Sequence, residues 1–131
     1  MNKAKIRILA IDDNESCLTT IAIMLSSAEI ELATMSDPLE ALQHVRKNSR
    51  EIDLILLDYM MPEMDGFEFL RALQEDEQLK NIPVIIQTGV ADLTNSSIAS
   101  IKGLSAYLSK PFSKDLLFDT IKEVLGLPSL N

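Results

Sequence analysis

Three acids, one hydroxyl and one amine stand at the ends of short apolar runs in this sequence. Asp12 and Asp13 follow Ile8-Leu9-Ala10-Ile11, and Asp58 follows Leu54-Ile55-Leu56-Leu57. Thr88 comes soon after Val84-Ile85-Ile86, and Lys110 comes after Ala106-Tyr107-Leu108. Acids crowded together repel, and burial penalises their charge further. A divalent cation relieves both effects. Oxygen donors suit Mg²⁺, with Mn²⁺ as an alternative, and without histidine or cysteine ligands zinc is not expected. A carboxylate can also attack phosphorus and form an aspartyl phosphate. That reaction needs positive charge near the phosphoryl oxygens, which Lys110 could supply, while Thr88 could add a hydroxyl donor. Taken singly, each residue has a plainer reading: a turn acid, a solvated lysine, a loop hydroxyl. Their joint occurrence at run ends carries the chemistry.

The elements that must position them can be read from periodicity. Residues 6–11 and 54–58 are almost wholly apolar, as in central parallel strands covered on both faces. Glu29-Ile30-Glu31-Leu32 alternates and suits an edge strand. Residues 83–86 and 106–108 supply a fourth and a short fifth strand. Leu18, Ile21, Ala22 and Leu25 recur at helical spacing, as do Ala41, Leu42 and Val45, then Phe69, Leu70 and Leu73, then Leu117, Ile121 and Val124. Asp37 before Pro38, Asp65 and Ser113 are expected to cap helices. Between Asp92 and Ile101 a polar, serine-bearing stretch suggests a short, marginal fourth helix. Strand and helix alternate five times. The expected fold class is therefore α/β, a doubly wound five-stranded parallel sheet with helices on both faces. An edge position for the second strand gives the order 2-1-3-4-5. Its switch point falls between strands 1 and 3, where ligands bind beyond the carboxyl ends.

Composition narrows the partners. The chain has 131 residues, one domain's length, and a net charge of -8. That balance argues against nucleic-acid binding by this domain alone. One cysteine, Cys17, excludes an internal disulfide and fits a reducing cytoplasm. No stretch has the length and apolarity of a membrane span, so no membrane partner is expected. Cys17 is expected to pack beneath the first helix, and His44 to lie on a surface helix away from the acids.

From about Lys5 to Leu125 the chain resembles the receiver domains of response regulators, flavodoxin- or CheY-like (βα)5 proteins of two-component signalling and phosphorelays. The resemblance rests on Ile11-Asp12-Asp13-Asn14, on Leu56-Leu57-Asp58-Tyr59-Met60-Met61-Pro62-Glu63-Met64-Asp65-Gly66, on Thr88, and on Tyr107-Leu108-Ser109-Lys110-Pro111-Phe112. It implies one receiver domain over residues 1–131, with a core from about 5 to 125 and no output domain in this chain. Asp58 matches the phosphoacceptor. Asp13 matches the direct metal ligand, Asp12 the acid that binds metal mainly through water, and the Met60 backbone carbonyl a further ligand beside Asp58. Thr88 and Lys110 match the residues that contact phosphoryl oxygens. Thr88 and Tyr107 match the switch pair, and Lys110-Pro111 matches a cis peptide bond. The implied donor is a phosphohistidine on a histidine kinase or a histidine phosphotransfer protein. It would dock near the first helix, where Leu18 and Ile21 are expected to contribute an apolar patch. Downstream lies an unidentified protein or output domain.

Two departures stand out: Gly89 replaces a more usual alanine, and Ala28-Glu29-Ile30 lacks a common glycine. Met60 and Val90 flank the acceptor, and apolar side chains there imply slow self-dephosphorylation. Phosphorylation is expected to alter the surface formed by the fourth helix, the fifth strand and the fifth helix. The domain is thus expected to be a phosphoryl acceptor, not a turnover enzyme. Three alternatives fit the sequence less well. A haloacid-dehalogenase-type phosphatase would place its acids one residue apart, not adjacent. A degenerate receiver would lack one of the five site residues. A nucleotide-binding domain would need a glycine-rich loop after the first strand.

Overall fold

The computed structural model describes residues 5–89 and 101–128. Five strands form one parallel sheet: β1 (Ile6–Ile11), β2 (Ile30–Met35), β3 (Leu54–Asp58), β4 (Val84–Thr88) and β5 (Ala106–Ser109). Their order is β2-β1-β3-β4-β5, as the alternation of apolar and polar residues requires. Every residue of β3 and β4 is buried, whereas β2 and β5 expose half or more of theirs to some degree and occupy the two edges. The connecting helices among the described residues are α1 (Glu15–Met24), α2 (Pro38–Asn48), α3 (Gly66–Gln74) and α4 (Lys114–Leu125), and a 3-10 turn spans Ser49–Glu51. The expected marginal helix over 92–101 lies, apart from Ile101, outside the described residues. No helix among those described is long and apolar enough to cross a membrane.

The period of two along each strand divides the core into two layers. Leu9, Ile11, Ile55, Leu57, Val84 and Ile86 face one way and pack with Val45, Phe69, Leu70 and Leu73 of α2 and α3. Ile8, Ala10, Leu54, Leu56, Ile85 and Leu108 face the other way and pack with Leu18, Ile21, Leu117 and Ile121 of α1 and α4. Phe69 is fully buried, so its truncation to alanine should cost about 3–5 kcal/mol.

The helices begin where the sequence indicates. Asp37 accepts from the Leu39 and Glu40 amides, ahead of Pro38. Asp65 and Glu68 form a reciprocal capping box on α3. Ser113 accepts from the Leu116 amide. Gly126 closes α4 in the left-handed conformation at φ 67°.

One correction concerns the first helix. Leu18 and Ile21 are only 4% and 2% exposed and belong to the core, so they cannot form a surface patch. The face of α1 that packs on the sheet must be apolar, and these two residues sit on it. Ile23, 71% exposed, is the large apolar side chain that α1 presents to solvent.

Candidate functional site

Register brings the acids together. Ile11 of β1 lies beside Leu57 of β3, so the next residues, Asp12 and Asp58, emerge side by side. Asp58 in turn lies beside Gln87 of β4. Strand alternation sends Asp12, Asp58 and Gln87 to the layer of α1 and α4. Lys110, two residues beyond Leu108, comes from the same side. Asp12, Asp13 and Asp58 each offer an oxygen, and these oxygens lie within 4.8 Å of one another. Asp12 and Asp58 are buried, while Asp13 is exposed at the rim.

Lys110 bridges the two buried acids. Its Nζ donates to Asp12 Oδ2 at 2.9 Å and to Asp58 Oδ1 at 3.0 Å. Its backbone is fixed as well, because the Lys110 amide donates to the Thr88 carbonyl at 2.8 Å. The Lys110–Pro111 bond is cis, as the resemblance implies. Thr88 is 4% exposed at the end of β4. Tyr107 is half-buried on β5, in register with Ile86.

The loop after β3 is held tightly against the strand end. The Gly66 amide donates to the Tyr59 carbonyl at 2.8 Å. A Cβ on Gly66 would stand 2.8 Å from the Asp58 carbonyl oxygen, so only glycine lets the start of α3 approach the acceptor strand. The Tyr59 and Phe67 rings pack at 4.6 Å between centroids and close the loop. Met60 turns its side chain outward, 59% exposed.

The electrostatics are unbalanced. Burial raises the Asp58 carboxyl to about 6, helped by the charges of Asp12 and Asp13 and opposed by the Lys110 hydrogen bond. Burial disfavours the Lys110 ammonium, but its hydrogen bonds to Asp12 and Asp58 outweigh this and hold it well above the ordinary lysine value. One ammonium thus faces three carboxylates. The oxygen-only donor set, its small span and its excess negative charge fit a hard divalent cation such as Mg²⁺.

All five residues singled out from the sequence therefore meet at one end of the sheet. Three others escaped that reading. The Asn14 amide donates to Asp12 Oδ1 at 2.9 Å, and its side chain caps α1 by accepting from the Cys17 amide at 3.1 Å. The pattern Asp-x-Asn before a helical period was the available signal. Cys17 does not simply pack beneath α1: its Sγ is a half-buried acceptor 3.7 Å from Lys110 Nζ. Gln87 is a polar residue within an apolar run, fully enclosed at 1% exposure.

Comparison with known proteins agrees with this geometry. The family model for the response regulator receiver domain matches residues 8–122. The polar-differentiation response regulator DivK of Brucella ovis is 34% identical over 119 residues, covering 91% of this chain and 95% of DivK. The CAI-1 autoinducer sensor kinase/phosphatase CqsS of Vibrio cholerae is 34% identical over 116 residues, which cover 88% of this chain but span only 17% of that protein. Among solved structures, the receiver domain of sensor histidine kinase PA1611 from Pseudomonas aeruginosa aligns with a TM-score of 0.81 and 26% identity. The alignment covers 94% of this chain and 99% of that one, and that structure holds a magnesium ion in its active-site cleft. The chain belongs to the response regulator receiver domain family, phosphoacceptors of two-component signalling rather than turnover enzymes, and its acidic pocket is Asp12, Asp13 and Asp58.

Proposed function

We propose that Asp58 is the residue that accepts the phosphoryl group, with Mg²⁺ held by Asp12, Asp13, Asp58 and the Met60 carbonyl. The observation that carries this reading is the bridge from Lys110 to both Asp12 and Asp58 inside an acidic pocket. A bound Mg²⁺ would offset charge on the carboxylates and on the phosphoryl oxygens. A carboxylate oxygen of Asp58 attacks phosphorus, and the bond from phosphorus to the donor breaks. With a phosphohistidine donor that bond is P–N, and the electron pair stays on the imidazole. Lys110 then moves its hydrogen bond from the Asp58 carboxylate to a phosphoryl oxygen, and the Thr88 hydroxyl contacts another.

The family implies a histidine kinase as donor. We assign its docking, or that of a histidine phosphotransfer protein, to the α1 side of the site, where Ile23 is exposed. Thr88 and Tyr107 act as the switch pair, so that phosphate biases the surface of β5, α4 and the segment before β5 toward partner binding. The chain works as a single receiver domain in the cytoplasm, with Mn²⁺ able to replace Mg²⁺.

Incubation with acetyl phosphate tests the assignment. Phosphate should be incorporated up to one equivalent in the presence of Mg²⁺, not in EDTA, and not in Asp58→Asn. Equal labelling of Asp58→Asn would overturn it, and steady release of phosphate over many turnovers would revive the phosphatase reading.

A further inference from the structure

Beside the acidic pocket, between α1 and the turn that follows β5, lies a cavity of about 270 Å³. Ile21, Met24 and Phe112 give it an apolar wall, and Cys17, Gln87 and Lys110 give it chemistry. Gln87 is 1% exposed, yet its Nε2 has no hydrogen-bond partner among the described residues. A buried amide donor left unpaired is destabilising, which calls for an acceptor in the cavity. The Cys17 thiol lines the same cavity, with Lys110 Nζ at 3.7 Å. A thiol is a weak acceptor. A sulfur carrying an oxygen atom would be a strong one, with two donors on the same cavity wall.

We propose that Cys17 is a site of reversible oxidation by peroxide, and that the oxygen added to its sulfur is held by Gln87 and Lys110. In the reaction the S–O bond forms as the peroxide O–O bond breaks. Sulfur gives up an electron pair and is oxidised, the peroxide is reduced, and its other oxygen leaves as water with the thiol proton. A thiol reductant reverses the change through a disulfide intermediate. The consequence reaches the phosphoacceptor because Lys110 is shared. The Lys110 donor now aimed at Cys17 Sγ at 3.7 Å would tighten onto the sulfenic oxygen and draw Nζ away from its place between Asp12 and Asp58. This second part rests on the role of Lys110 proposed above; the oxidation itself does not.

The experiment treats the full chain with limited hydrogen peroxide, traps sulfenic acid with dimedone and maps the adduct by mass spectrometry. In parallel, acetyl phosphate incorporation is followed before oxidation, after it, and after dithiothreitol. A dimedone adduct is expected on Cys17, with incorporation slowed about tenfold or more and restored by dithiothreitol. Cys17→Ser should incorporate phosphate at the same rate before and after peroxide, which separates the effect from methionine oxidation. Gln87→Met keeps the thiol but removes the donor, and its adduct yield should fall about fivefold. No adduct on Cys17 of the folded protein would overturn the proposal. An adduct with unchanged incorporation would overturn the coupling through Lys110. Absence of incorporation in untreated protein would instead sink the Asp58 assignment, while labelling of Cys17 would still report on the oxidation.

Discussion

Strands β1 and β3 carry charged groups at both ends, and the two ends follow opposite rules. At the amino end, the Arg7 amide donates to Asp53 Oδ2 at 2.7 Å, and Arg7 Nε lies 3.4 Å from the same oxygen. The Asp53 amide donates back to the Arg7 carbonyl at 2.8 Å. One cation meets one anion there, and each side chain is 39% exposed. At the carboxyl end, Lys110 meets Asp12 and Asp58, whose side chains are 0% and 7% exposed, with Asp13 at the rim. Water screens the first pair and barely reaches Asp12 and Asp58. The amino end is a matched clasp that aligns two strands. The carboxyl end holds surplus negative charge in a dry place, a surplus that a cation can offset and that phosphoryl chemistry can use.

That contrast can be broken most decisively at its cations. Lys110→Ala should slow phosphate incorporation about a hundredfold or more, the scale of losing a donor aimed at developing charge. Arg7→Ala should leave the rate within about twofold, as expected for a screened surface pair. Similar losses in both would mean that Lys110 acts through general stability alone. A smaller effect is expected at the acids. Asp13→Ala should weaken Mg²⁺ binding by at least about tenfold, measured by calorimetry. Asp53→Ala, which removes an acid of equal charge, should leave that affinity unchanged. If both weakened it alike, the ion would be responding to net charge and not to a built site.

Much of this is legible in the sequence. Buried parallel strands advertise themselves as continuous apolar runs, so β1, β3 and β4 could be read directly, and with them the strand order. A residue just after such a run must emerge at a sheet end, which is why Asp12, Asp58 and Lys110 could be expected together. The first helix is legible too: Leu18, Ile21 and Leu25 share one helical face and all three are buried, whereas Ile23 lies off it. The expected patch of Leu18 and Ile21 ran against that period. Harder to read were contacts between distant segments. The neighbours of Lys110 were hidden for this reason. Cys17 lies 93 residues away along the chain, and no periodicity links a residue in α1 to one after β5. The unpaired Gln87 amide was invisible in a different way, since an absent hydrogen bond leaves no trace in residue order.

The finest separation between the two ends is one of sign in stability. Asp53→Asn should lower it, by about 1 kcal/mol or less, because a half-exposed ion pair is weak. Asp58→Asn, measured in EDTA, should raise the melting temperature by a few degrees. The Asp58 carboxyl titrates at about 6 in the folded protein against 3.8 ordinarily. Between those values the native state binds the proton more readily than the unfolded chain, so the wild type loses stability as pH rises through the window. Above about pH 6 the native carboxylate is ionised and its full penalty applies. Asparagine has no such penalty, so its advantage is complete at neutral pH and fades as pH falls from 6 toward 4. Lys110, shifted upward, stays charged throughout that range and adds no slope. A thermal-melt series across those pH values should therefore show the Asp58→Asn gain shrinking on acidification. A gain that held constant with pH would assign the stabilisation to packing, and the charge surplus at the carboxyl end would lose its energetic meaning.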